Sequence, residues 1–187
     1  MSISKSDVEK ELKEKGDFVK IDHLTRLLEG NISRDVKSFI YLKLAELYEK
    51  KSIFTESAKM FNKIALNSIT FADKIKFHTK EAEMYVKAGN FKKVDDAVKK
   101  AMSEANANQR AEINFNVREF YKRQAEIYEK ELKRNHAVKV YEKLLETTSS
   151  EIDKRMIKKK LLGLYEKLGR LKEYFVLKKS LDEYCVE

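Results

Sequence analysis

Eight, three and one residues before Tyr48 stand Ile40, Ala45 and Leu47. The same offsets before Tyr85 hold Phe77, Ala82 and Met84; before Tyr128, Phe120, Ala125 and Ile127; and before Tyr165, Ile157, Leu162 and Leu164. Apolar positions spaced by 3, 7 and 8 residues share one face of a helix, so each tyrosine belongs to a helix that buries a wide stripe. A second set follows each one. Met60, Ala97, Val140 and Leu177 come twelve residues after the tyrosines, and Ile64, Ala101, Leu144 and Leu181 come sixteen after. These pairs sit four apart and predict a second amphipathic helix per unit. The segments between, KKSIF, KAGNF, ELKRN and KLGRL, are short enough to force an antiparallel pair. In KAGNF, Gly89 stands where a helix end calls for φ > 0.

The tyrosines are spaced by 37, 43 and 37 residues, a period typical of stacked helical hairpins. The register extends backward once. Leu12 takes the tyrosine place, Phe18, Ile21, Leu24 and Leu28 fall at second-helix offsets, and Ser6-x-x-Glu9 offers a capping box. This short first pair reads as an N-terminal cap, which a solenoid needs because its end repeat faces water. The expected fold is therefore all-α: a right-handed α-solenoid of four antiparallel helix pairs plus a cap pair. It forms one domain over 1–187, with repeats at about 6–30, 33–68, 70–105, 107–147 and 150–184. The recurrent hexapeptide (AELYEK, AEMYVK, AEIYEK, LGLYEK) reads as architecture: a small residue for close approach, a tyrosine wedge, and Glu–Lys pairs at 46/50, 83/87 and 126/130.

The pattern resembles tetratricopeptide repeats. Tyr41, His78 and Tyr121 match the first aromatic position, although Lys158 does not; Leu44 and Leu161 match the leucine, and Ala137 with Tyr141 match the second-helix pair. Within that wider family, AEIYEKELKRNHAVKVYEKLLE (125–146) looks like the corresponding segment of the soluble NSF attachment proteins, or SNAPs. That resemblance implies an adaptor that holds helical partners through largely electrostatic contacts and works beside an AAA ATPase. The wider tetratricopeptide resemblance implies that the positions nine, six and two before each tyrosine line a groove: Phe39, Leu42 and Glu46; Lys76, Thr79 and Glu83; Glu119, Lys122 and Glu126; Met156, Lys159 and Gly163.

Composition supports helices. There is no Pro or Trp and only 5 Gly. No run of 18 apolar residues occurs, the charged N-terminus is unlike a signal peptide, and one cysteine, Cys185, excludes a disulfide framework. The expected setting is cytoplasmic, with no membrane insertion. The net charge of +9 is spread thinly: residues 1–30 hold 6 basic and 7 acidic groups, and 151–187 hold 10 and 7. A salted helical surface accounts for it without a nucleic-acid partner.

No phosphate-loop, HExxH or GxSxG pattern occurs, and His23, His78 and His136 fall in different repeats. His78 takes the place of a packing aromatic, while His23 and His136 are expected on the surface near helix starts. Neither an enzyme nor a cofactor or metal is expected.

Candidate binding residues remain. KRMIKKK (154–160) is the densest basic stretch, and the repeat before it sets Arg118 level with Arg155 and Lys122 level with Lys159, predicting a basic strip. Phe39 and Leu42 offer an apolar contact at the other end, with Lys76 and Thr79 between. The glutamates two before the tyrosines argue against a groove that captures carboxylates. A peptide or helical segment of a protein partner is expected there, and a nucleic-acid-binding repeat using the basic strip is the alternative. The stripe Leu177, Leu181, Tyr184 on the last helix predicts self-association or docking.

Overall fold

The computed structural model describes residues 3–182, which form α-helices and no strand. The helices are α1 (Lys5–Leu12), α2 (Asp17–Leu27), α3 (Arg34–Lys50), α4 (Phe54–Asn67) and α5 (Phe71–Lys87). They continue as α6 (Phe91–Ser103), α7 (Ala107–Lys130), α8 (Arg134–Thr147), α9 (Glu151–Lys167) and α10 (Leu171–Asp182). Tyr184 and Cys185 lie outside the described residues.

Short polar side chains start several helices. Ser33, Thr70, Asn90 and Ser150 each accept a hydrogen bond from the backbone N–H three residues on, as N-caps should. The first cap corrects the Ser6/Glu9 expectation. Ser4 accepts from Asp7 N–H at 3.2 Å, and the Asp7 carboxylate accepts from Ser4 N–H at 3.1 Å. Ser6 already lies inside α1. Two capping boxes compete in the sequence, and the earlier one forms, extending the helix by Lys5 and Ser6.

The helix ends share one geometry. Ser52, Gly89, Leu132 and Gly169, each four residues after its tyrosine, have φ of 58°, 69°, 57° and 67°. The next N–H donates back to the tyrosine carbonyl in every case: Ile53 to Tyr48, Asn90 to Tyr85, Lys133 to Tyr128 and Arg170 to Tyr165, at 2.8–3.0 Å. The left-handed residues themselves donate to Glu49, Val86, Glu129 and Glu166. These paired bonds are Schellman motifs, which close the helix and turn the chain into the next one. Gly89 behaves as expected; Ser52 and Leu132 hold the same conformation without glycine's freedom.

The chain divides into two compact units, Met1–Ile113 and Asn114–Glu187, with α7 contributing its first turns to one and the rest to the other. In the first unit, side-chain contacts give the helix directions. Ser57 Oγ donates to Ala45 O at 2.9 Å and the Lys63 ammonium lies over the Tyr41 ring, so α3 and α4 run antiparallel. Phe61 stacked on Phe77 and Lys87 over Phe54 set α4 against α5 in the same sense, and Lys93 over Tyr85 with Lys100 to Glu81 do so for α5 and α6. Lys5–Asp35 at 2.8 Å and Lys43–Glu9 at 3.7 Å lay α1 along α3. Ile40, Ala45, Ile64, Ala82, Met84, Ala97 and Ala101 fill the core, as their spacing predicts, together with Val94.

One polar cluster sits inside this unit. His78 and Glu81 are 5 % and 3 % exposed, with Nδ1 to Oε2 at 2.9 Å. Lys100 Nζ donates to the other Glu81 oxygen at 3.1 Å and to Asn62 Oδ1 at 2.9 Å. The cluster joins α4, α5 and α6, and His78 is the buried imidazole its place in the repeat predicts.

In the second unit Val117, Tyr121 and Ala125 of α7 are buried, with Ala137, Val138, Val140, Tyr141 and Leu144 of α8 and Ile157, Leu161, Leu164 and Tyr165 of α9. Tyr hydroxyls stitch the layers: Tyr141 donates to Glu129, and Tyr165 donates to Glu142 at 2.8 Å. Burial and these carboxylate acceptors push both phenols above their ordinary range. Lys160 meets Glu129 at 3.6 Å, tying α9 to α7, and Arg170 donates to Asn135 at 2.9 Å.

Some stripe positions differ from expectation. Phe18 and Ile127 are exposed, Phe18 beneath the Lys51 ammonium, and in the fourth repeat Leu161 is buried while Leu162 is half-covered. Of the expected i, i+4 pairs, Glu83–Lys87 forms at 3.4 Å, but Lys50 turns to Asp17 at 3.0 Å. Asp17 also takes Lys51, a denser field than one pair on its own helix.

Candidate partner-binding faces

The expected site residues fall into both units. In the first, Phe39 and Leu42 are half-covered on α3. The Lys43 ammonium lies 5.3 Å from the Phe39 ring centre, and the pairs to Asp35 and Lys43 run α1 past that helix. Lys76 is exposed on α5, its ammonium over the Phe77 ring. Thr79 donates its hydroxyl to Ile75 O at 2.8 Å, so that donor is committed to its own helix. Glu83 differs from the solvent-facing row expected. It is 8 % exposed and held by Lys80 at 2.9 Å and Lys87 at 3.4 Å. Burial raises the Glu83 carboxyl, but the two lysines outweigh that and leave it below its ordinary value.

The second unit holds the basic residues. Lys122, Arg155 and Lys159 are exposed and Arg118 is half-covered. Lys122 and Lys159 make no ion pair with another described residue; Arg155 lines a hollow of about 200 Å³ with Glu151, Ile152, Lys154, Lys158 and Leu181, between α9 and α10. Beside them stand Met156, one of the expected groove positions, and two side chains that were not singled out from the sequence, Phe115 and Ile152. Phe115 on α7 and Ile152 and Met156 on α9 are 55 %, 76 % and 64 % exposed. The signal was present: Phe115 and Ile152 each stand thirteen residues before their tyrosine, in one register with the Arg118/Arg155 and Lys122/Lys159 pairs. Periodicity alone assigns such residues to a core stripe; their solvent exposure emerges only when the core is filled by others.

On α9 the face reads Ile152, Arg155, Met156, Lys159, Gly163, one continuous helical stripe. A Cβ built on Gly163 meets nothing within 4 Å. On α7 the matching face reads Phe115, Arg118, Glu119, Lys122, Glu126, with Glu119 half-covered and Glu126 exposed. α10 buries no residue, and Leu177 and Leu181 are half-covered, while Phe175 and Val176 are exposed.

The remaining histidines are surface groups. His23 meets Glu11 at 2.5 Å, in the body of α2 and not at its start, and His136 packs against Tyr128 near the start of α8. Among the described residues no group of three His, Cys, Asp or Glu side chains is placed to hold a metal ion, and no helix is long and apolar enough to cross a membrane.

No family model matches the chain, and no curated protein matches it. Among solved structures, it is similar to the crystal structure of BtubC (BKLC) from P. vanneervenii, at 17 % identity over 95 % of this chain and 77 % of that one, with a TM-score of 0.39.

Proposed function

We propose that the protein is a non-enzymatic interaction scaffold or adaptor of tetratricopeptide-like type, akin to the SNAP subgroup. In this reading it is an α-solenoid that holds a helical or peptide segment of a protein partner on the exposed faces of its first helices. The observation that supports this reading most is the α9 face. Its Ile152, Met156 and Lys159 contribute nothing to the unit's core or to ion pairing among the described residues, yet they form one stripe of binding chemistry. Arg118, Lys122 and Arg155 extend the candidate surface of the second unit, and Phe39, Leu42, Lys76 and Thr79 are the first unit's own candidates. The single cysteine fits a cytoplasmic setting. Self-association through α10 belongs to the same reading.

The alternative is a nucleic-acid-binding repeat that uses the basic strip, favoured by the exposed Lys122 and Lys159. Glu126, one turn beyond Lys122, repels a phosphate backbone but tolerates a mixed-charge helix. Co-purification from nuclease-treated extract, compared between wild type and Lys122→Glu/Lys159→Glu, tests the choice. A protein partner missing from the variant's eluate supports the scaffold. Retention of that partner, with loss of DNA binding alone, refutes it in favour of nucleic acid.

A further inference from the structure

Seven residues before the four tyrosines stand Tyr41, His78, Tyr121 and Lys158. The first three are rings packed inside their units, at 8 %, 5 % and 0 % exposure. A cation recurs fifteen residues after the first three tyrosines, as Lys63, Lys100 and Lys143. The Lys63 ammonium lies 5.2 Å from the Tyr41 ring centre, and Lys100 reaches His78 through the Glu81 carboxylate. The fourth repeat departs at both places. Lys158 stands on α9 where the others have a ring, and Ser180 stands on α10 where they have a cation. The Ser180 hydroxyl donates to Leu177 O at 2.8 Å, within its own helix. The ring is gone from this layer, and the charge has moved to the other helix.

That exchange leaves room between the two helices. Ile64, Ala101 and Leu144 are buried at the place that Leu181 takes in the fourth repeat. Leu181 is only half-covered and borders, with Lys158, the hollow of about 200 Å³ between α9 and α10. Ile152 and Leu181 form its apolar side, and Lys154, Arg155 and Lys158 bring three cations to it. Among the described residues Glu151 is the only carboxylate on its wall, and Lys154 holds it at 2.6 Å.

We propose that this hollow binds a small aromatic acid: one ring set against Ile152 and Leu181, with a carboxylate or phosphate turned to Arg155 and Lys158. Ile152 and Arg155 also belong to the candidate partner face, but the inference does not depend on the scaffold reading. Size, contact and charge each narrow the ligand. An apolar cavity of about 150 Å³ accepts benzene, so this one admits a single ring with one acidic substituent. Cations beside a ring face favour an aromatic ring over a saturated one of equal size. The excess of cations over carboxylates on the wall selects an anion. An inorganic anion would leave the apolar side uncovered and gain less.

Benzoate and phenyl phosphate are the probes, with cyclohexanecarboxylate and inorganic phosphate as controls. The full chain is titrated while amide and ligand NMR signals are followed. For ligands this small in an open hollow, a dissociation constant of about 1 mM is expected for the aromatic acids, with the controls at least about fivefold weaker. Lys158→Tyr restores the ring that the other repeats carry. It should abolish binding and raise the melting temperature by about 2–4 °C, a pairing that misfolding cannot imitate. Arg155→Gln should weaken binding about fivefold or more with the melting temperature within about 1 °C, since Arg155 is exposed. Lys122→Glu, outside the hollow, should bind as wild type does.

Affinity for cyclohexanecarboxylate or inorganic phosphate equal to that for the aromatic acids overturns the proposal. So does wild-type affinity in either Lys158→Tyr or Arg155→Gln, or an equal loss in Lys122→Glu. No shift in any signal up to about 10 mM of either probe overturns it as well, since that is about ten times the expected dissociation constant.

Discussion

Replacing Leu132 with glycine should make the protein more stable, although it removes a leucine. Leu132 ends α7 at φ 57°, the place that Gly89 and Gly169 fill in two other turns. An L-residue in the left-handed region clashes between Cβ and the following carbonyl, at a cost of about 1–2 kcal/mol. The leucine side chain recovers little of this, because it is 71 % exposed, and the small apolar area it covers is worth about 0.5 kcal/mol. Glycine's larger unfolded-state entropy takes back part of the gain, leaving a net stabilisation of about 0.5–1 kcal/mol. For a chain of this size that raises the melting temperature by about 1–4 °C. Thermal and urea unfolding followed by circular dichroism at 222 nm measure it. Leu132→Asn, whose side chain tolerates the same region, should fall between wild type and glycine. An unchanged or lower melting temperature for Leu132→Gly would refute the idea of strain at this turn. The reciprocal change, Gly89→Val, puts a β-branched side chain at φ 69° and should destabilise by about 1–2 kcal/mol.

Glu81→Ala strips His78 and Lys100 of their shared carboxylate inside the first unit and should cost about 2–4 kcal/mol, while Glu81→Gln, which keeps an acceptor, should cost less; equal losses would mean that shape alone matters there. Because the lysines hold the Glu83 carboxyl below its ordinary value of 4.5, its stabilisation is complete above that value and is lost as pH falls through the lower folded value. The melting temperature should therefore drop in acid, and Glu83→Gln should show a shallower acid limb than wild type. Lys122→Glu/Lys159→Glu should slow association with the natural partner at low salt while leaving the melting temperature within about 1 °C, since both side chains are exposed. If α10 mediates self-association, light scattering should give a larger mass for wild type than for Leu181→Glu; two identical monomer masses would end that idea.

Local chemistry made the helix pairs legible from sequence. The 3.6-residue stripe around each tyrosine depends only on backbone geometry, so Ile40, Ala82, Ala125 and Ile157 could be assigned to buried faces, and the second-helix residues Ile64, Ala101 and Leu144 with them. Gly89 announced its left-handed turn because glycine has a local conformational preference. Ser52 and Leu132 gave no such notice: the same turn is imposed on them by the helices they connect, which gain more by pairing than one strained residue costs. The candidate site was legible in part. Lys122 and Lys159 could be aligned by register, but a periodic pattern cannot tell an apolar residue that meets a neighbour from one that meets water. Phe115 and Ile152 are exposed, and Glu83 is buried, because packing depends on what the adjacent helix places opposite each residue, and that is a property of the assembled units alone.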